Sequence, residues 1–344
     1  MVIMNLKADN IYSFKAFQIN FSYPKKIVNT TIPNEYLKER PNFRYKKVNI
    51  IRGANATGKT TLGLLLSALY DLIEHGVSLD IRPTDITKPI AITLDFVLDD
   101  LTLYRLDIKS SNEIEQLVCI RQALINLQDS YEECVKKIEK QDLVYSDAVT
   151  KELKKVKKRA RPKAQNKELY IKVLQNVLQT LDPTINKVEG LAGFDDTYIL
   201  WWHDKKIILQ EGKLTLEHLL SSGTKAGIEI AKCITDIMCH NDCLYYFDER
   251  FSFIESDIEK AIISLMIEKL QSDEQLFITT LNSDILDMNL PKHAFSFLKR
   301  NDENSIEVIN ASSMLKKNTD SVRKAYNNNI FSTAPNLKFI DALV

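Results

Sequence analysis

VNIIRGANATGKTT, Val48 to Thr61, is the stretch whose reading decides the fold. Its first five residues suit a short buried strand, and Leu62 to Glu74 beyond it are apolar at helical spacing. Between them GANATGKT fits the phosphate-loop pattern G-x-x-x-x-G-K-[ST], with Gly53, Gly58, Lys59 and Thr60 in the required places. A strand, a glycine-rich turn and a helix N-terminus present unpaired backbone N–H groups to an anion. Gly53 and Gly58 permit conformations and a close approach that a side chain would block. Gly53, Ala54, Asn55, Ala56, Thr57, Gly58, Lys59, Thr60 and Thr61 are the expected phosphate-binding residues. Lys59 can reach the β- and γ-phosphates and Thr60 can hold Mg²⁺. A chance glycine turn before a core helix would look alike, so the rest of a site has to be sought elsewhere.

The 344 residues, 44% of them hydrophobic, can bury one large core or two modest ones. Lys+Arg and Asp+Glu are equal at 46 each, so net charge favours neither nucleic acid nor membrane. Five cysteines (Cys119, Cys134, Cys233, Cys239, Cys243), odd in number and without a CxxC pair, suit a reducing compartment. Cys239, His240 and Cys243 lack a second ligand pair and read as core thiols rather than a zinc site. MVIMNLKADN has no signal-peptide core, and no run approaches a membrane span, so a cytoplasmic, non-membrane protein is expected.

Residues 2 to 22 alternate loosely and predict one or two edge strands; Tyr23 to Arg44, with three prolines, predicts a connecting loop. Ile90, Ile92, Leu94, Phe96 and Leu98 alternate strictly, as do Tyr104, Leu106 and Ile108 past Asp99-Asp100, which predicts a hairpin turning at the aspartates. Leu117, Ile120, Leu124, Leu127, Tyr131, Cys134 and Ile138 then fall at heptad spacing. They predict a coiled-coil-like helix on the order of 30 Å long. Another helix is predicted over Glu168 to Leu181. Between them a basic run over 151–167 (Lys151, Lys154, Lys155, Lys157, Lys158, Arg159, Arg161, Lys163, Lys167) suits either nucleic-acid phosphates or a solvated helix face. Tyr198–Trp202 and Ile207–Gln210 predict a second hairpin; Trp201 and Trp202 face opposite ways on a strand, so at most one could serve as a stacking platform.

The missing half of a site stands far along the chain. Cys243 to Glu249, CLYYFDE, is an apolar strand ending in two acids. Such a strand can aim Asp248 at a Mg²⁺ shell, and Glu249 can orient or deprotonate an attacking water. Upstream, Leu220-Ser221-Ser222-Gly223-Thr224 opens an apolar helix. Ser221 there is an ordinary N-cap, or Ser221, Ser222, Gly223 and Thr224 form a second anion site that closes on the nucleotide of another copy.

L-S-x-G followed by a strand ending in Asp-Glu resembles the signature and Walker B motifs of the ATP-binding-cassette class. The SSGTK form and the GANATGKT loop look most like the AAA-family ATP-binding proteins of abortive-infection systems, relatives of the overcoming-lysogenization-defect, RecF and SMC ATPases. Asn10 to Phe14 is similar to that family's first strand, QLFITTLNSDIL (Gln275 to Leu286) to its switch strand, and YNNNIFSTAP (Tyr326 to Pro335) to its closing motif without the glycines.

The resemblance implies an α/β fold: a P-loop ABC-type ATPase head, with a mixed central sheet plus an antiparallel β-subdomain, carrying an inserted helical, coiled-coil-like segment. Its boundaries would be 1–110 for the N-terminal lobe, 111–190 for the insertion and 191–344 for the C-terminal lobe. ATP and Mg²⁺ are the implied cofactors, Lys59 and Glu249 the catalytic residues, Thr60 and Asp248 the metal ligands. A homodimer or larger assembly would share nucleotides through the trans Ser221–Thr224 signature. Leu281 stands where the switch histidine belongs, no D-loop is clear after Glu249, and no glutamine precedes Ile90; all three imply slow hydrolysis. About sixty residues follow the switch strand, too few for a Toprim nuclease domain, and Asp302, Asp320 and Asp341 are scattered. The expected role is therefore an antiphage ATPase with a separate effector, such as a nuclease. A DNA-repair ATPase of the SMC and RecF type is the alternative.

Overall fold

The computed structural model describes residues 1–26, 30–110, 116–147, 149–153, 166–194, 196–317 and 319–334. The chain forms two compact units. One comprises Met1–Ala160, Tyr246–Asp248 and Gln271–Val344, and the other Arg161–Tyr245 and Glu249–Leu270.

The first unit is built on a five-stranded sheet in the order Leu244–Asp248, Gln275–Thr279, Val48–Gly53, Phe295–Arg300, Ile306–Asn310. Val48–Gly53 has parallel neighbours on both sides, Leu276 opposite Val48 and Leu298 opposite Gly53. All six of its residues are buried, as a strand covered on both faces requires. The helix Lys59–His75 follows, burying Leu62, Leu65, Leu66, Leu69, Leu72 and Ile73 along one stripe. Gly76 ends it at φ 68°, its N–H donating to the carbonyl of Leu72; a left-handed terminus costs glycine no Cβ clash.

A second sheet in this unit is wholly antiparallel, in the order Phe17–Asn20, Val2–Asp9, Ile90–Val97, Thr102–Ser110, Gln116–Leu124. The hairpin forms where the alternation places it. Leu101 takes φ 55° and donates to the carbonyl of Leu98, and Asp100 accepts from the N–H of Thr102 at 3.1 Å. A charge network crosses the sheet: Arg105 grips both oxygens of Asp95 at 2.6 and 2.7 Å, and the Tyr131 hydroxyl donates to the same carboxylate at 2.6 Å. The paired carboxylate holds the Arg105 guanidinium in its charged form, while burial and that same charge push the Tyr131 phenol up.

Two expectations change here. Leu117 to Leu124 is not helix but the edge strand Gln116–Leu124, zipped along Thr102–Ser110 from Thr102 opposite Leu124 to Ser110 opposite Gln116. Val118, Cys119 and Ala123 are buried, whereas Leu117 and Leu124, members of the heptad seam, are exposed. The neighbouring strand's open edge supplies hydrogen-bond partners that periodicity does not record. Only the end of the predicted helix forms, over Tyr131–Glu139, started by a capping box between Ser130 and Glu133. The segment read as a loop before Arg44 also holds a small two-stranded ribbon, Tyr36–Leu37 with Arg40–Arg44.

The second unit has a four-stranded antiparallel sheet in the order Lys213–Leu214, Lys205–Gln210, Thr197–Trp202, Ile185–Gly190. The predicted hairpin forms, with Leu200 opposite Ile207, and its turn is His203-Asp204 alone, because Lys205 and Lys206 pair with Trp202 and Trp201 and belong to the strand. Helices Lys167–Leu181 and Ser222–Cys239 pack closely at Gly227, where a Cβ would lie 2.5 Å from the Leu181 side chain. Ser256–Lys269 completes this unit. Most of the basic run, including Lys154, Lys155, Lys157, Lys158, Arg159, Arg161 and Lys163, lies outside the described residues.

Candidate functional site

The phosphate-loop stretch forms a tight turn between the buried strand Val48–Gly53 and the helix starting at Lys59. A Cβ on Gly53 would lie 2.4 Å from Thr57 Oγ1 and 2.7 Å from the Leu298 carbonyl, so only glycine lets the loop fold back here. Gly58 has φ 87° and serves as N-cap without any side-chain cap. The first amides of the helix therefore face outward with no capping side chain from that position, which is the arrangement that receives an anion. Arg300 braces the turn by donating to the carbonyl of Ala56 at 2.6 Å, and Thr57 Oγ1 donates to that of Ala54 at 2.8 Å.

Lys59 is 4% exposed, and its Nζ donates to the carbonyls of Gly53 and Ala54 at 2.9 and 3.1 Å. Neutral carbonyls are weaker partners for an ammonium than a phosphate oxygen. Thr60 Oγ1 donates to Asp248 Oδ2 at 2.6 Å, across 188 residues of sequence. The other oxygen of Asp248 accepts from Thr279 Oγ1 at 2.7 Å. Tyr246 fixes the strand carrying Asp248 to the helix: its hydroxyl donates to the Lys59 carbonyl at 2.7 Å, and its ring lies where a Cβ on Gly63 would intrude at 2.4 Å. A threonine hydroxyl and an oriented carboxylate at a helix N-terminus are hard oxygen donors suited to Mg²⁺, and a lysine beside them suits phosphates. The residues present thus fit both groups.

The structure brings together Lys59, Thr60, Asp248 and the loop 53–61. Leu281 stands just past the switch strand, 44% exposed, in a pocket of about 240 Å³ that it shares with Arg52, residues 53–55 of the loop and Tyr326. It can donate no hydrogen bond. His293 is committed elsewhere: its Nε2 meets both oxygens of buried Glu35 at 2.8 and 2.9 Å. Two contributors were missed by the sequence reading. Thr279 lies inside QLFITTLNSDIL with nothing to single it out, and Arg52 is the last of the five strand residues before Gly53. No local pattern flags Thr279: it ends a strand parallel to the one that leads into the loop, a pairing that only the fold shows.

In the second unit, Glu249 follows Asp248 directly and takes φ 51°, opening a turn whose Ser252 donates backbone and side chain to the Glu249 carbonyl at 3.2 and 2.7 Å. Ser221 is the N-cap of Ser222–Cys239: its Oγ accepts from the N–H of Thr224 at 3.0 Å. Ser221 and Ser222 are both exposed, Thr224 is buried, and a Cβ on Gly223 would meet the Phe253 carbonyl at 2.8 Å. The glycine thus lets the Glu249 turn and the helix start lie together. Burial pushes the Cys233 thiol up to about 11, the behaviour of a packed rather than a reactive cysteine. Among the described residues no cluster of three or more His, Cys, Asp or Glu side chains could hold a metal. No helix among them is long and apolar enough to cross a membrane.

No family model and no curated protein matches the sequence. Solved structures do. An SMC head bound to the C-winged helix domain of ScpA is 16% identical with a TM-score of 0.52, covering 95% of this chain and 100% of that one. An SMC head with an extended coiled coil, bound to the C-terminal domain of ScpA derived from Pyrococcus furiosus, is 13% identical with a TM-score of 0.51, covering 97% and 100%. A third, with a coiled coil and joint from Pyrococcus yayanosii, is 11% identical with a TM-score of 0.50, covering 90% and 97%. At such identities the likeness concerns architecture, and the chain has the fold of an SMC head domain, an ABC-type ATPase fold.

Proposed function

We propose that this chain binds ATP with Mg²⁺ and hydrolyses it slowly, as the nucleotide-gated subunit of an antiphage or abortive-infection system acting through a separate effector such as a nuclease. One observation carries the nucleotide reading: Thr60, Asp248 and Thr279, remote in sequence, meet within hydrogen-bond distance at the start of the helix that Lys59 opens. Thr60 and Asp248 would hold Mg²⁺, which when bound neutralises charge on the β- and γ-phosphates. Lys59 and the N–H groups of residues 53–61 would position the phosphates. Glu249 is the group to orient and deprotonate the attacking water. An apolar Leu281 at the switch position is the reason to expect a low rate.

Exposed Ser221 and Ser222, with Gly223 and Thr224, would close the nucleotide of a second copy, giving a homodimer or larger assembly in which binding and release open and shut the pair. The defence role rests on the likeness of SSGTK and GANATGKT to the abortive-infection ATPases. The SMC-type fold favours a second reading, an SMC- or RecF-like ATPase acting on DNA, with 151–167 as its contact. The neighbouring SMC heads are bound to ScpA, so a separate partner protein belongs to either reading.

Fluorescent-nucleotide titration and phosphate release test the proposal. Lys59→Ala is expected to abolish binding. Glu249→Gln is expected to retain ATP, stop turnover and accumulate a dimer in size-exclusion chromatography. A Glu249→Gln protein that turns over at the unmodified rate sinks the assignment of the base, and a wild-type chain that binds no nucleotide sinks the whole reading. For the second reading, DNA retention that survives neutralising Lys154, Lys155, Lys157 and Lys158 removes that segment as the contact.

A further inference from the structure

Arg52 is a buried cation beside the phosphate loop, and the nucleotide reading above gives it no role. It ends the strand leading into the phosphate loop and is 7% exposed. One arm is fixed: Nη2 donates to the Tyr326 hydroxyl at 2.9 Å, and the guanidinium carbon lies 4.3 Å from the centre of that ring. Tyr326 is itself held by stacking on Phe297, which stacks on Phe331. The other arm, Nη1, is buried and has no hydrogen-bond partner. No ion pair involves Arg52 among the described residues.

A guanidinium cannot shed its charge by deprotonation, so a buried one with a spare donor calls for an acceptor, best an anion. The surroundings say which. Arg52 lines the pocket of about 240 Å³ together with residues 53–55 of the phosphate loop, Leu281 and Tyr326. One wall is therefore the loop expected to hold phosphates; the Leu281 side chain that also lines the pocket offers no donor, and Thr333 offers a neutral hydroxyl.

We propose that this pocket is a subsite for the terminal phosphate of a nucleoside triphosphate, with Arg52 Nη1 as its charged donor. The proposal rests on the nucleotide reading given above and deepens it. Arg52 supplies from the preceding strand the charge contact that an apolar residue at 281 cannot make. Tyr326 acts as the positioning residue that aims the fork. The site consequently distinguishes triphosphate from diphosphate through a group outside the nine-residue motif.

Titration of Arg52→Met with fluorescent ATP and ADP, alongside phosphate release, tests this. ADP affinity is expected to stay within about 3-fold of wild type, while ATP affinity falls about 10-fold or more, the effect of losing one charge-assisted bond. Turnover is expected to fall about 100-fold. Lys59→Ala, by contrast, loses both nucleotides, which separates failure of this subsite from failure of the nucleotide reading. An unchanged ATP-to-ADP preference in folded Arg52→Met protein overturns the proposal. Should that variant not fold, Arg52→Lys replaces it: the ammonium keeps the charge but lacks the planar fork that bonds the tyrosine with one arm and reaches the phosphate with the other. Its preference for ATP is expected to drop at least about 3-fold, and an unchanged preference overturns the proposal equally.

Discussion

Replacing Thr279 by valine tests the metal-holding half of the site without touching either expected ligand. Thr279 is fully buried at the end of its strand, and its hydroxyl donates to Asp248 Oδ1 at 2.7 Å, while Oδ2 receives Thr60 at 2.6 Å. Valine has nearly the same shape, so packing changes little, but Asp248 loses one of the two hydroxyls that fix its rotation. A hydrogen bond to a charged carboxylate contributes about 1.5–3 kcal/mol. Asp248 is only half-buried, so water can replace part of that, and global stability should fall by about 1 kcal/mol or less. The functional cost is larger, because an outer partner of a metal ligand typically sets about 10–100-fold in metal affinity or activity. Nucleotide hydrolysis is measured against Mg²⁺ concentration, with a urea melt of the same preparation as control. The half-saturating Mg²⁺ concentration is expected to rise at least about 10-fold with the melt nearly unmoved. A folded Thr279→Val protein with an unchanged Mg²⁺ dependence would refute the claim that this hydroxyl orients the carboxylate for the metal.

Tyr131→Phe removes one of the two donors to Oδ2 of buried Asp95, leaving Arg105 as the other, and unpins the helix Tyr131–Glu139 from its sheet; a loss of about 1–3 kcal/mol in urea unfolding is expected, with nucleotide affinity unaltered. Lys46 gives a pH-dependent case. Burial pushes its ammonium down to about 8 from 10.5, so below pH 8 folded and unfolded chains both carry the proton and the full desolvation penalty applies. Between pH 8 and 10.5 the unfolded chain binds more protons, and stability attributable to this group rises with pH. Lys46→Met removes a penalty of about 3 kcal/mol at most, less the bond from Nζ to the Asn20 carbonyl. Denaturant midpoints from pH 7 to 10 should show the variant more stable than wild type at pH 7 and the gap closing by pH 10. A constant gap would mean the lysine is not the titrating group.

The sequence by itself determined what neighbours in the chain can settle. Strand, glycine turn and helix at Val48–Thr61 follow from local residue types, as do the hairpins turning at Asp99-Asp100 and His203-Asp204, since glycine conformations and alternating burial are written within a few residues. It also marked Asp248 and Ser221 through motif likeness. Only the tertiary structure decided the rest. Gln116–Leu124 is a strand because Thr102–Ser110 offers it an edge, and heptad spacing cannot show an edge that lies elsewhere in the fold. Thr279 meets Asp248, and Arg52 meets Tyr326, because parallel strands and a closing helix align residues tens to hundreds apart. Such pairings depend on register and crossover, which no local pattern encodes, and they are where the candidate site acquires its charge and its orientation.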